Sequence, residues 1–490
     1  MVKNILLFAI LSPILGIITL LFTPSHKYDL LKKIALTFSC FTFLLTLLLW
    51  LFLNKKVSLF QAVITISWLP HHNILFCLGI DGISLFFLIL TTLLITLSLL
   101  ASYDSITHNL KEFLINFLSL IFILIGVFCV LDVLLFYIFF ECVLIPMYLI
   151  IGIWGSRARK IKAAYYFFLY TLIGSVLMLL SILYIYSEAF STDYEILLNY
   201  NFSLVEQKIL WFTFFLSFAA KVPMIPVHLW LPEAHVEAPT AGSVILAGVL
   251  LKLGTYGFIR FSLPLFTEAS FYFAPLVYTF SAMGIVYASL TAIRQTDFKR
   301  IIAYTSIAHM NLVILGIFSF NTIGIEGAIL QSLSHGFVAS ALFLIIGIVY
   351  DRHGTRMVKY YSGLVHVMPI YTTVFLFFTM ANIGLPGTSS FVGEFLLLVG
   401  SFKTNTTITF IGATGMIIGG CYALWLFNRI AYGNLKTQYF EKFLDLNEKE
   451  FVTFLPLIMG TLVIGIIPNI FLKPIHMSVN RLTELLSFVN

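Results

Sequence analysis

The sequence predicts an all-α polytopic membrane protein of about fourteen transmembrane helices, with two inverted five-helix repeats and broken helices 7 and 12. Three observations carry that prediction. Apolar runs of about 18 or more residues recur from end to end of a 490-residue chain that is 60% hydrophobic, 10% charged and has a mean hydropathy of +1.02. A surface so composed cannot face water, and each run is long enough to span a bilayer. The loop cations are unevenly shared between the two sides. Two spans, five apart, are interrupted by proline and glycine.

The predicted spans cover roughly residues 4–22, 34–53, 82–101, 112–130, 133–152, 163–186, 208–227, 240–259, 271–293, 301–320, 324–349, 364–402, 407–430 and 451–472. Residues 4–22 read as a first span, not a cleavable leader. The longest polar stretches, about 20–25 residues, leave no room for a soluble domain. Span 7 contains Pro223 and Pro226 directly after Lys221. Each proline removes a backbone donor and crowds the preceding turn, so the helix should break there. Span 12 is too long for one straight crossing and reads NIGLPGTSS in its middle, so Gly384, Pro386 and Gly387 should break it too. Five spans separate the two breaks. An odd offset makes spans 4–8 and 9–13 inverted relative to each other, the arrangement of transporters whose sites lie at a repeat interface. The chain then divides into N-terminal helices 1–3 (1–111), a first repeat (112–260), a second, inverted repeat (261–430), and helix 14 with a tail (431–490).

Of the 28 Lys and Arg, Lys221 and Lys252 lie within spans. Eighteen of the others fall in loops after odd-numbered spans, including GSRARKIK, RQTDFKR and DRHGTRMVK, and eight fall on the opposite side. The richer side is the cytoplasm or mitochondrial matrix. GSRARKIK reads as a topology determinant that also meets anionic lipid.

Ionisable residues inside the spans are few: Glu141, Lys221, Lys252, His309, His335 and Glu394, with Glu326 near an end. Lys221 and Lys252 lie roughly 18–20 Å along their helices in a hydrocarbon core of about 30 Å. A charge there costs at least about 2.5–3.5 kcal/mol, so such residues mark ion or proton paths. Taken singly, each could be a polar contact between helices; six on separate spans are too many for that. A Glu–Lys pair that can be made and broken is a proton-loading switch, and histidines can relay between such sites. Glu141 and Lys221 have similar depths within one five-helix unit and should face each other. Water should fill the gaps further along, from Lys252 through His309 and His335 to Glu394.

Asp81 and Asp132 stand at helix starts and read as N-caps. His71 and His72 read as exposed loop residues. His228, Glu233, His235 and Glu237 form a polar turn whose spacing fits no standard metal site and which reads as a solvated proton uptake point. The five cysteines, Cys40, Cys77, Cys129, Cys142 and Cys421, are scattered and suit packing. No GxGxxG, P-loop or HExxH occurs, which speaks against nucleotide binding and hydrolysis by this chain.

At these residues the chain resembles the antiporter-like membrane subunits of respiratory NADH:ubiquinone oxidoreductase, complex I. The stretch KVPMIPVHLWLPEAHVEAPTAGSVILAGVLLKLGTYG (221–257) is similar to that family's signature. FECVLIPM, KRIIAYTSIAHMNL, QSLSHGFVASALF and LPGTSSFVGEF are similar to its helix 5, 10, 11 and 12 segments. The similarity covers about residues 80–430 and is closest to mitochondrial members. It implies fourteen helices in two inverted repeats, and a hydrated axis of proton-transfer residues: Glu141, Lys221, Lys252, His309, His335 and Glu394. It implies no cofactor in this chain, while the whole complex uses NADH, FMN, iron–sulfur clusters and ubiquinone. The partners implied are other membrane-arm subunits, including neighbouring antiporter-like ones, and membrane lipids, cardiolipin among them, with no nucleic acid. The location implied is the mitochondrial inner membrane, with a bacterial plasma membrane as the alternative. A subunit of a multi-component cation/proton antiporter is the rival reading.

Overall fold

In the computed structural model, residues 2–436, 439 and 444–487 are described. The chain opens with α1 (Val2–Phe22) and α2 (Tyr28–Phe52), then a hairpin of β1 (Gln61–Leu69) and β2 (Ile74–Ile80). Helices α3 (Gly82–Ala101), α4 (Leu110–Cys129), α5 (Val133–Cys142), α6 (Leu144–Trp154), α7 (Lys160–Ala189) and short α8 (Tyr194–Leu198) follow. Next come α9 (Leu204–Lys221), α10 (Trp230–Glu237), and one rod made of α11 (Thr240–Ile245), α12 (Leu251–Gly257) and α13 (Leu263–Leu265) joined through π-helical turns. Then follow α14 (Thr267–Arg294), α15 (Phe298–Ile317), α16 (Thr322–His353), α17 (Pro369–Ile383), α18 (Ser389–Thr404), α19 (Thr406–Ala431), α20 (Glu448–Ile466) and α21 (Asn469–Ser487).

Among the described residues, twelve helices are long and apolar enough to cross a membrane. The two predicted spans outside that set are the interrupted ones. Span 7 is α9 plus α10, and span 12 is α17 plus α18. Helix α9 starts at Leu204, capped reciprocally by Ser203 and Glu206, and stops at Lys221, two residues before Pro223. Span 12 starts at Pro369, not 364, and its halves are separated by residues 384–388. A third interruption, at Val143 between α5 and α6, accompanies Pro146, which has no N–H for the carbonyl of Cys142.

Two features depart from the sequence expectation. The hairpin, with Pro70–His72 at its tip, adds a small sheet to an otherwise helical chain; His71 and His72 are exposed there as expected. The expected span 451–472 ends at Ile466, and α21 then runs along α3 and α16, held by the Gly82 N–H donating to Ser478 Oγ at 3.1 Å. The last three residues of the tail lie outside the described residues. Asp81 caps α3 through the Ser84 N–H at 2.9 Å, and Asp132 caps α5 through the Leu135 N–H at 2.9 Å.

The most enclosed elements are α3, the α11–α13 rod, α15 and α16; α1, α2, α19 and α20 keep most of their surface outward. Leu94, Ile95, Phe218, Leu253, Ile314 and Phe343 are among the core side chains. Val143 at the α5/α6 break and residues 222–224 at the α9/α10 break are buried in this centre, where irregular backbone is tolerated, whereas residues 385–387 of the α17/α18 break are exposed.

Candidate proton-transfer axis

The first cluster forms where two interrupted helices meet. Lys221, 4% exposed at the C-terminus of α9, donates to the Phe140 carbonyl at 2.7 Å and lies 3.8 Å from Glu141 Oε1. Its ammonium also sits 3.5 Å from the Phe140 ring centroid. A cation at a helix C-terminus complements the end of the macrodipole. The freed α9 carbonyls are partly met by the α10 indole, because Trp230 Nε1 donates to Ala220 O at 2.8 Å. Glu141 sits just before the α5/α6 interruption. Both of its carboxylate oxygens are buried without a hydrogen bond, so Lys221 is their nearest counter-charge. The expected facing of these two residues is present.

The second cluster runs across α12, α16, α15 and α18. Lys252, fully buried on α12, donates to the Ala247 carbonyl at 2.5 Å and to His335 Nδ1 at 2.8 Å. Ala247 lies in the π turn Leu246–Leu250, a local widening that presents a carbonyl to a residue five positions on. Whenever Lys252 is protonated it has no acceptor, so in that state His335 accepts at Nδ1 and carries its own proton on Nε2, which has no hydrogen-bond partner. The His335 ring on α16 lies 5.9 Å from that of His309 on α15, centroid to centroid. His309 Nδ1 is 3.2 Å from Glu394 Oε1 on α18. Gln331 Nε2, one turn along α16 from His335, donates to the same oxygen at 3.0 Å.

The α17/α18 break places Glu394. Gly384 adopts φ +83°, and a Cβ there would lie 2.6 Å from Glu394 Oε2. Only glycine suits both demands. Ser389 and Ser390 at the start of α18 bond to Ser334 Oγ on α16 at 2.7 and 2.8 Å, fixing the break beside His335. Beyond His309 and Glu394 lies a small cavity of about 20 Å³, lined in part by Asn382, Gly415, Gly419 and Tyr422. That is room for about one water.

The six residues expected on one axis fall into two clusters, and one expectation changes. Lys252 meets His335 directly and His309 meets Glu394 directly, whereas the two histidine rings stand 5.9 Å apart and His335 Nε2 has no hydrogen-bond partner, so this is the step where the expected water would lie. The segment holding His228, Glu233, His235 and Glu237 is not a solvated turn. It is mostly the helix α10, with His228, His235 and Glu237 buried. His235 stacks on Phe343 at 4.5 Å and has no hydrogen bond to either ring nitrogen. It lies within electrostatic reach of both Lys252 and a lysine assigned to a loop, Lys299.

Lys299, 2% exposed, donates to Ala238 O at 2.8 Å and Ser243 Oγ at 3.3 Å. Arg356 is also buried. It lies 3.7 Å from Asp297 and 3.9 Å from Glu237, and donates to the Val236 carbonyl. Asp351 and Glu450 line a cavity of about 310 Å³ nearby, and Asp351 is within electrostatic reach of Lys299. At the opposite end of the α11–α13 rod, Arg260 is paired with the cap Asp81 at 2.7 Å and bonded to Tyr256. Gln331, Lys299 and Arg356 were absent from the sequence expectation. Among the described residues no group of three or more His, Cys, Asp and Glu is placed to hold a metal.

Residues 130–419 match the family described as NADH:quinone oxidoreductase/Mrp antiporter, TM. The chain is 57% identical over 484 residues to NADH-ubiquinone oxidoreductase chain 4 of Chondrus crispus, covering 99% of this chain and 98% of that one. It is also 57% identical over 475 residues to chain 4 of Arabidopsis thaliana, covering 97% and 96%. The chain belongs to the NADH-ubiquinone oxidoreductase chain 4 family. A structure of respiratory complex I from Thermus thermophilus with bound NADH contains a chain of the same fold, with a TM-score of 0.88, 29% identity and coverage of 99% and 100%. The membrane-bound sulfane sulfur reductase, an archaeal respiratory membrane complex, shares the fold at a TM-score of 0.84 and 20% identity. All six candidate residues of this chain 4 family member fall within the matched region.

Proposed function

We propose that the chain is a proton-translocating membrane-arm subunit of respiratory complex I, a multi-pass protein of the mitochondrial inner membrane. It contributes to NADH:ubiquinone reductase activity by moving protons; the redox chemistry belongs to partner subunits. The observation that carries this reading is the succession Lys252, His335, His309 and Glu394 across α12, α16, α15 and α18, in which the contacts are direct except for the 5.9 Å between the two histidine rings.

Each residue has a distinct task. Glu141 holds Lys221 protonated while the pair is closed. At 3.8 Å and an effective dielectric of 20, their attraction is about 4 kcal/mol. Opening the pair removes that attraction and frees the Lys221 proton to move toward Lys252. Lys252 passes a proton to His335 Nδ1, and the Nε2 proton leaves toward His309, which delivers to Glu394. Gln331 holds the carboxylate in place for that transfer. Uptake runs from the matrix through Asp351, Lys299 and His235. Release is to the intermembrane side, past Glu394 and the cavity beside Tyr422. The interrupted spans α9/α10 and α17/α18 belong to two inverted repeats, residues 112–260 and 261–430. Neighbouring antiporter-like subunits continue the axis at its ends, and anionic lipid, cardiolipin included, borders the matrix face.

The test is purification followed by reconstitution. The chain co-elutes with an assembly that oxidises NADH and reduces ubiquinone, and Lys252→Met lowers proton pumping while the assembly persists. Elution with a cation/proton antiporter that oxidises no NADH would overturn this reading.

A further inference from the structure

Arg260 lies on the α11–α13 rod eight residues beyond Lys252, about 12 Å further from the cation-rich loops. It is buried, and its Nη2 lies 2.7 Å from Asp81 Oδ2. The other oxygen of Asp81, Oδ1, accepts from the Ser84 N–H at 2.9 Å. Arg260 Nε donates to the Tyr256 hydroxyl at 3.2 Å, and that hydroxyl donates its own proton to the Phe128 carbonyl at 3.0 Å. The cavity at this end of the rod holds about 20 Å³, room for about one water. Its charged lining is Asp81, Arg260 and Arg481 of α21, two cations to one carboxylate. The Phe60 ring lies 4.9 Å from the first guanidinium and 5.9 Å from the second. Aromatic packing continues from there toward Lys252: Phe261 lies 5.8 Å from Tyr194 and 4.4 Å from Phe136.

We propose that Arg260, held by Asp81, is a positioning residue that seals the intermembrane end of the rod against protons, so that a proton on Lys252 leaves only sideways, to His335. This rests on the proton-transfer reading of Lys252 and on the membrane orientation given with it. A guanidinium keeps its proton at physiological pH and has no acceptor. Asp81 alone could pass a proton, but both of its oxygens are engaged, and protonating Oδ2 would strand a buried cation. The one proton of the Tyr256 hydroxyl is committed to Phe128. The surplus positive charge repels a hydronium arriving from the intermembrane side, as an arginine in a water channel excludes protons. At about 12 Å and an effective dielectric of 20, one unit charge alters the occupancy of a second by roughly tenfold. Without the seal, Lys252 would refill from the side that pumping makes acidic, and the gradient would short-circuit. The cavity beside Glu394, where release is proposed, has no lysine or arginine in its lining among the described residues.

The test uses the intact complex in proteoliposomes without NADH. A pH step, acid on the intermembrane face, is imposed with the membrane potential clamped, and its decay is followed with a pH-sensitive dye. Arg260→Met should let the step decay roughly tenfold faster than wild type, the factor for one lost charge. Arg260→Lys, which keeps the charge, should stay close to wild type. Arg260→Met/Lys252→Met separates a proton path from a loosened fold: the double variant should return to wild-type tightness, because the leak passes through Lys252. An assembled Arg260→Met complex as tight as wild type overturns the proposal, as does a double variant that leaks as fast as the single one. If Arg260→Met fails to assemble, a high-resolution map of the wild-type complex decides. Close side-chain packing between Lys252 and the intermembrane face is expected, and a hydrogen-bonded file of waters running past Arg260 would overturn the seal. Normal pumping by Lys252→Met under NADH would instead overturn the proton-transfer reading, a result separate from the leak.

Discussion

Replacing Gly384 by alanine tests whether the break between α17 and α18 exists to place Glu394. The new Cβ would lie 2.6 Å from Glu394 Oε2, so the carboxylate has to retreat past 3.0 Å. Its other oxygen is held by Gln331 at 3.0 Å and His309 at 3.2 Å, contacts that cannot both survive the shift. A hydrogen bond to a charged group is worth about 1.5–3 kcal/mol, and about 2 kcal/mol on the barrier slows a step roughly thirtyfold. The left-handed backbone adds about 1–2 kcal/mol of strain for any side chain. Gly387→Ala separates the two effects: it has φ +92° and nothing within 4 Å of the added carbon. The assay is protons pumped per NADH oxidised in proteoliposomes. Gly384→Ala should pump poorly while Gly387→Ala, with similar backbone strain, pumps nearly normally. Equal pumping by the two variants would refute the placement argument.

Glu141→Ala should impair pumping and leave the assembled complex largely intact, with Glu141→Asp milder because the charge is kept; vesicle acidification measures both. Lys299→Met should slow uptake while NADH-binding subunits remain attached, seen as reduced pumping at an unchanged yield of complex. Arg356→Leu leaves Glu237 and Asp297 buried without their shared cation. Breaking such an arrangement costs about 3–5 kcal/mol, so this variant should lower the melting temperature and the yield of assembled complex.

Lys221 and Lys252 are legible in the sequence because a charge inside an apolar run has a cost that needs a reason. The breaks at Pro223, Pro226, Gly384 and Gly387 are legible because those residues have fixed backbone consequences. Gln331 is not: its task is defined by a carboxylate 63 residues away, and a neutral polar residue in a helix advertises nothing. Lys299 and Arg356 sit among loop cations that read equally well as topology signals. Their burial follows from contacts with Ala238 and Val236, 61 and 120 residues distant. The direct approach of Lys252 to His335 spans 83 residues and depends on the π turn at Ala247, which no local rule predicts. The hairpin at residues 61–80 was missed because its strands are as apolar as the spans beside it. The turn PHHN between them, with Asn73 left-handed at φ 52°, was the available signal.

The central claim is that protons cross the Lys252, His335, His309 and Glu394 succession. Its most direct measurement is the number of protons pumped per NADH oxidised by reconstituted complex carrying Glu394→Gln. The substitution keeps size and hydrogen bonding near Gln331 while removing the group that takes and gives a proton. A clear fall in that ratio, with partial recovery in Glu394→Lys, is the predicted result. An unchanged ratio in fully assembled Glu394→Gln complex would contradict the account.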